Sequence, residues 1–214
     1  MRIFRRARGA NDADGRPQRL HIGCGQQSIK GWINIDNQGL PGVDQVLDVR
    51  NGLPFSGVAA IYAEHFLEHL SLDDGLAFLT ECRRVLAGDG ILRLSTPSLD
   101  WVISTHYRWD GATDEERGLD CIRLNRAFHG WGHQFLYNRP MLGSALRAAG
   151  FASVSFRSYG ESEVPELRGL ERHETWNDTP ELPHVLVVEA TGNARPESLP
   201  AGLLQELREA LTSR

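Results

Sequence analysis

Apolar positions along the chain follow two periods. Five short aliphatic runs occupy the first half: Arg19 to Ile22, Trp32 to Asp36, Gln45 to Val49, Ala59 to Ala63 and Ile91 to Ser95. Gly, Pro, Asn or Asp bounds each, which is the pattern of short strands. Between the fourth and fifth runs, Leu72, Leu76, Leu79, Cys82 or Arg83, and Leu86 recur at helical spacing. Ser71 is placed to cap that helix, Arg83 and Arg84 suit its negative end, and Gly88 or Gly90 is placed to stop it. A second helix is predicted from Pro140, with Met141, Leu142, Leu146 and Ala149 apolar and Gly150 as its stop. Two more strands follow over Ser153 to Tyr159 and His184 to Ala190. Thr191 to Pro200 reads as a linker, and Leu203 to Leu211 as an amphipathic helix.

Strands mixed with helices in this order predict an α/β sheet covered on both faces, with a ligand at the carboxyl ends of its strands. About ten residues separate the first two runs, fewer than a parallel crossover usually needs. The first helix is therefore very short or replaced by a loop through Ile29 and Gly31.

The first run enters a glycine turn, Gly23-Cys24-Gly25. Glycines there allow positive φ, and the free N–H groups of such a turn attract an anion. Asp36 ends the second run, where a carboxylate can accept both hydroxyls of a ribose. Asp48 lies in the third, within Leu47-Asp48-Val49-Arg50-Asn51-Gly52-Leu53-Pro54-Phe55, and can accept from the amino group of adenine. Either acid alone reads as a strand-end residue. Together, after a glycine turn, they point to an adenosine-type cofactor.

Composition narrows the setting. The net charge of -5 argues against sequence-blind nucleic-acid binding, which needs a basic face. Cys24, Cys82 and Cys121 are odd in number and far apart, which argues against a disulfide framework and for a reducing, cytoplasmic compartment. No apolar run reaches the length of a membrane span. Met1 to Arg8 carries four arginines with no apolar run after them, so it is not a secretory signal.

The strings LHIGCGQQSIKGWINID, DVRNGLPF, IYAEHFLEHL and ECRRVLAGDGILRLSTPSLDW resemble a class I S-adenosylmethionine (SAM)-dependent methyltransferase. The likeness covers about residues 19–160. It is similar to the broad group that includes the menaquinone/ubiquinone-type and type 11 domains, and closer to a bacterial subgroup with GCG, GW-N-D, LEH and Gly-x-x-His-x-x-x-Tyr signatures. The resemblance implies SAM as cofactor and a Rossmann-like seven-stranded, mostly parallel sheet with helices on both faces and the last strand antiparallel. It implies that the turn Gly23, Cys24 and Gly25 holds the methionine carboxylate, Asp36 the ribose, and Asp48 with Val49 the adenine. It places Ala63 and Glu64 beside the methionine. The chain departs from the pattern at His21, where an acid is common, and at Gln26 and Gln27, where a small residue is common. The implied organisation is a disordered arm over 1–18, a methyltransferase domain over 19–192 with an acceptor-side insert at 99–138, and a linker and C-terminal helix over 193–214.

Other readings have weaker support. A nicotinamide dehydrogenase needs G-x-G-x-x-G opening a helix, and Ser28 stands at the third glycine position. His65-Phe66-Leu67-Glu68-His69 matches the zinc pattern H-x-x-E-H, but it sits at a strand-to-helix junction where the resembled family has a similar string without metal. No metal is expected. A protein that binds SAM without transferring methyl is the third alternative.

The insert holds Trp101, His106, Tyr107, Trp109, His129, Trp131, His133 and Tyr137. Loops at strand carboxyl ends build sites, so this cluster is expected to face a small-molecule or glycan acceptor. His129, His133 and His106 are the expected general bases for an acceptor oxygen or nitrogen.

Overall fold

A computed structural model describes residues 17–173 and 178–212. The expected arm over 1–18 lies almost wholly outside the described residues. Seven strands form one sheet: β1 (Arg19–Ile22), β2 (Ile33–Asp36), β3 (Gln45–Val46), β4 (Val58–Glu64), β5 (Leu86–Pro97), β6 (Ser153–Arg157) and β7 (Val185–Thr191). Their order is β3-β2-β1-β4-β5-β7-β6. The first five run parallel, and β7 runs antiparallel to both β5 and β6. The sheet is thus Rossmann-like, mostly parallel and flanked by helices, with the last strand reversed.

Side chains along each strand alternate between two faces. Leu20 and Ile22 of β1, Ile61 and Ala63 of β4, Leu92 and Leu94 of β5, and Leu186 and Val188 of β7 share the main core. Helix α1 (Leu72–Val85) adds Phe78, Leu79, Cys82 and Val85 to it. Helices α2 (Leu99–His106) and α3 (Asp114–His129) form a satellite around Trp101, Val102 and Ala127. Helix α4 (Arg139–Ala148) returns to the main core with Leu142, Ala145 and Leu146. Helix α5 (Ala201–Thr212) closes the described chain. Each buried leucine or phenylalanine contributes roughly 1.5–3 kcal/mol relative to exposure.

The opposite face is more polar. Ala60 and Tyr62 of β4 pack with Trp32 and Leu167, and His21 stacks on Tyr62 with ring centroids 5.3 Å apart. On the same face Arg93 of β5 is fully buried. It donates to Glu171 at 2.7 and 2.9 Å, to Glu189 of β7 at 2.7 Å and to the Glu161 carbonyl at 3.0 Å. Glu161 and Glu171, which follow β6, are thereby held against the sheet.

Several local readings change. Ser71 caps α1 by accepting from the Asp74 N–H, as its position suggests. The stop at Gly88 or Gly90 is not used: α1 ends at Val85, and β5 starts at the next residue. The pull of β5 pairing wins there, since Leu86 already pairs with Val58. The third run is shorter than its apolar pattern, because Asp48 turns away to cap a 3-10 turn over Val49–Asn51. Between β1 and β2 the chain is a loop, as the short spacing requires. The insert contains two helices that the apolar pattern does not announce. A capping box in which Thr113 and Glu116 exchange bonds starts the second.

Candidate functional site

The strand order reverses between β1 and β4, and a cleft of about 470 Å³ opens at the carboxyl ends of β1 to β4. That size falls in the range of small-molecule sites. Gly23, Asp36, Asn37, Gln38, Asp48, Val49, Arg50, His65, Phe66, His69 and Gln134 contribute to its walls.

The glycine turn forms the floor at β1. Gly23 and Gly25 have φ of +67° and +52°, which disfavours any side chain. A Cβ on Gly23 would stand 2.3 Å from the Phe66 ring, so that ring closes directly over the turn. Asp36 faces the turn from the end of β2. Its Oδ2 accepts from the Gly25 N–H at 2.9 Å and its Oδ1 from the Gln38 N–H at 2.9 Å. The carboxylate is thus fixed by backbone while it borders the cleft. Asp48 accepts from the Arg50 N–H at 3.0 Å and takes the Arg50 guanidinium on both oxygens, the shortest bond 2.7 Å. The Arg50 side chain, and then its N–H, hold the Asp48 carboxyl below its usual range.

At the end of β4, His65 adopts φ +46°, a conformation that side chains rarely take. Its ring stacks on His173 at 3.9 Å. Glu64 beside it accepts from the Arg172 and His173 N–H groups at 2.7 and 3.1 Å, and its Oε1 lies 3.2 Å from His173 Nδ1. Burial pushes the Glu64 carboxyl up, but the His173 side chain and the two N–H groups outweigh it and hold it at about 2. Hydrogen bonding to Glu64 in turn raises His173. Arg172 donates to Gln27 at 2.7 Å, so this segment bridges the glycine loop and β4.

The structure therefore brings Gly23, Asp36, Asp48 and Val49 together on one cleft. Cys24, Gly25, Ala63 and Glu64 are not among its lining residues. Cys24 is buried with its thiol pushed up to about 11 by burial, Gly25 holds Asp36, Ala63 is in the core, and Glu64 anchors residues 172–173. Of the three expected bases, His133 contacts the cleft wall, with its ring 5.1 Å from that of His69. His129 is exposed at the end of α3. His106 packs edge-on against Trp101 in the satellite, and burial followed by Arg126 and Arg123 lowers its pKa. His65, Phe66 and His69 line the cleft, beside which the sequence placed their string without giving any of them a role; Gln134 is a cleft residue that sequence reasoning did not place there. The H-x-x-E-H string was the signal available for the two histidines.

No family model matches the sequence, and no curated protein sequence does. Solved structures share the fold. One is a SAM-dependent methyltransferase from Thermotoga maritima described as a possible histamine N-methyltransferase. It is 15% identical, covers 81% of each chain and has a TM-score of 0.52. A SAM-dependent methyltransferase from Mesorhizobium loti is 16% identical over 81% of this chain and 90% of its own, with a TM-score of 0.50. The SAM-dependent methyltransferase SibL is 14% identical with a TM-score of 0.52. The match covers 82% of this chain, which spans half the length of that one. At these identities the likeness shows the fold alone, a Rossmann-like, mostly parallel sheet flanked by helices. Among the described residues no helix is long and apolar enough to cross a membrane.

Proposed function

We propose that the protein is a SAM-dependent methyltransferase that transfers methyl to an oxygen or nitrogen of a small-molecule or glycan acceptor. The observation that carries this reading is the meeting of the glycine turn, the backbone-held Asp36 and the Asp48–Val49 turn on one cleft at the switch point of the sheet. The residues fit the cofactor. Asp36 offers acceptor capacity for ribose hydroxyls, Leu47 and Val49 offer apolar surface for a base, and the glycine turn brings bare backbone to the far end.

The sulfonium of bound SAM supplies an activated methyl group. The chain's task is then alignment and exclusion of water. Phe66, packed over the glycine turn, fixes the floor against which the reactants lie. Proximity of this kind contributes up to roughly 7–11 kcal/mol in favourable cases. The imidazoles of His65 and His69, with His133 behind His69, border the cleft where an acceptor proton must leave. His133 Nδ1 lies 2.8 Å from the Ala127 carbonyl, so it carries the proton and Nε2 keeps the free lone pair.

A screen of hydroxylated and amino acceptors with methyl-labelled SAM tests the reading. Label transfer that falls in His69→Ala and His133→Ala is expected. Saturable SAM binding with no transfer to any oxygen or nitrogen acceptor would favour the non-catalytic alternative.

A further inference from the structure

We infer that Glu68, His69 and His133 form a binding site for one divalent transition-metal ion of the zinc type, set into the wall of the cofactor cleft. One ligand atom from each lies within 4.8 Å of the other two. The sequence pattern suggested His65 and His69 on one helical face. The structure instead makes residues 67–69 a 3-10 turn, after a left-handed His65, and brings the second imidazole from 64 residues further on.

Four observations show a prepared site. First, Glu68 is fully buried, and only one of its oxygens is satisfied: Oε2 accepts from Thr96 Oγ1 at 2.9 Å, while Oε1 has no hydrogen bond. His65 Nδ1 stands 3.1 Å from Oε1, but without hydrogen-bond geometry. A buried carboxylate oxygen that accepts no hydrogen bond, and that His65 pairs with only when its ring is protonated, is costly unless a cation or proton meets it. Second, His133 Nδ1 is committed to the Ala127 carbonyl at 2.8 Å. That bond fixes the tautomer and aims the Nε2 lone pair away, as the outer contacts of metal-bound histidines do. Third, the two ligand segments are stapled together. The Gln134 and Phe135 N–H groups both donate to the Glu68 carbonyl, at 2.7 and 3.2 Å, and the Gln134 side chain donates to the His69 carbonyl at 2.6 Å. Fourth, His69 and Gln134 border the cleft, so an ion here would be open to it.

Two imidazoles and one carboxylate are the donor set of a three-ligand site that keeps a position free. Metal–ligand bonds of about 2.0–2.2 Å require the three donor atoms to draw together by roughly 1 Å, and half-buried His69 is the ligand whose ring must turn, since His133 is held by the Ala127 carbonyl. Resting on the methyl-transfer reading above, the free position would take an acceptor hydroxyl and lower its pKa, so that deprotonation no longer needs a free imidazole.

The test is cobalt binding to chelator-treated full chain, followed by visible absorption and metal analysis. One Co²⁺ per chain, displaced by Zn²⁺, is the expected result. His69→Ala and His133→Ala should each weaken it about tenfold or more, while His129→Ala, at an exposed residue, should leave it unchanged. Circular dichroism confirms that the variants fold, and Glu68→Gln adds a third probe. Absence of stoichiometric uptake, or uptake by both histidine variants equal to that of the unsubstituted chain, overturns the site. A parallel titration of the metal-free chain with S-adenosylhomocysteine separates the two ideas. Nucleoside binding without cobalt binding sinks the metal site alone. Cobalt binding without nucleoside binding sinks the cofactor assignment alone.

Discussion

Adding one methyl group to Gly23 and, separately, to Gly25 separates backbone strain from packing at the glycine turn. Both residues have positive φ, +67° and +52°. An alanine at either pays roughly 1–2 kcal/mol for the left-handed conformation. The surroundings differ. Nothing lies within 4 Å of a Cβ on Gly25, whereas one on Gly23 meets Phe66 Cδ2 at 2.3 Å and Cγ at 2.9 Å. Carbon atoms pack comfortably at about 3.5–4.0 Å, so the ring must retreat by more than an ångström. Phe66 packs edge-on against Phe78 of the core at 5.2 Å, which limits that retreat. Overpacking of this kind costs typically about 1–3 kcal/mol. Gly25→Ala should therefore lose about 1–2 kcal/mol and Gly23→Ala about 2–5 kcal/mol. For a chain of this size each kcal/mol moves Tm by about 2–4 °C. Urea and thermal unfolding of both variants measure the difference. Adding Phe66→Leu should return part of the Gly23→Ala loss and none of the Gly25→Ala loss. Equal losses for the two glycines, or a greater loss at Gly25, would refute the picture of Phe66 sealing the turn.

Other perturbations address separate parts of the molecule. Asp36→Ala removes a charged acceptor held by two backbone N–H groups, and should weaken S-adenosylhomocysteine binding by about 1.5–3 kcal/mol, roughly 10- to 150-fold; unchanged affinity in a calorimetric titration removes Asp36 from the site. Arg93→Met leaves buried Glu171 without its cation and Glu189 with Arg157 alone, and should destabilise by about 3–5 kcal/mol in urea unfolding, whereas a neutral result would show that the Arg93 pairs are dispensable. His21 has its pKa lowered by burial, against the opposing pull of Asn34. The unfolded chain then binds more protons, so stability is full above the ordinary histidine value near about 6.5 and declines as pH falls below it. His21→Gln should flatten that decline between about pH 7.5 and 5.5, and an unaltered slope would assign it to other groups.

Much of the sheet was legible because short aliphatic runs between turn residues leave few alternatives. β1 matches its apolar run at both ends, and the short spacing before β2 correctly demanded a loop. Boundaries failed where tertiary contacts overrode local chemistry. Gly88 and Gly90 looked like helix stops, yet β5 pairing begins at Leu86. α3 was hidden because most of its surface is polar, and only Asp120 and Ala127 are buried on it. Its start was written in Thr113 and Glu116 all the same. The glycine turn, Asp36, Asp48 and Val49 were readable because each ends or follows a strand. His69 and Gln134 were not readable as neighbours, since a contact across 65 residues of chain has no local pattern. The same distance hid the third member of the histidine and glutamate cluster.

The most direct measurement is a calorimetric titration of the purified chain with S-adenosylhomocysteine, repeated in the presence of SAM. One saturable site per chain, lost when SAM fills it, is the expected result. A flat titration at high nucleoside concentration, with the chain shown to be folded, would contradict the assignment of the cleft.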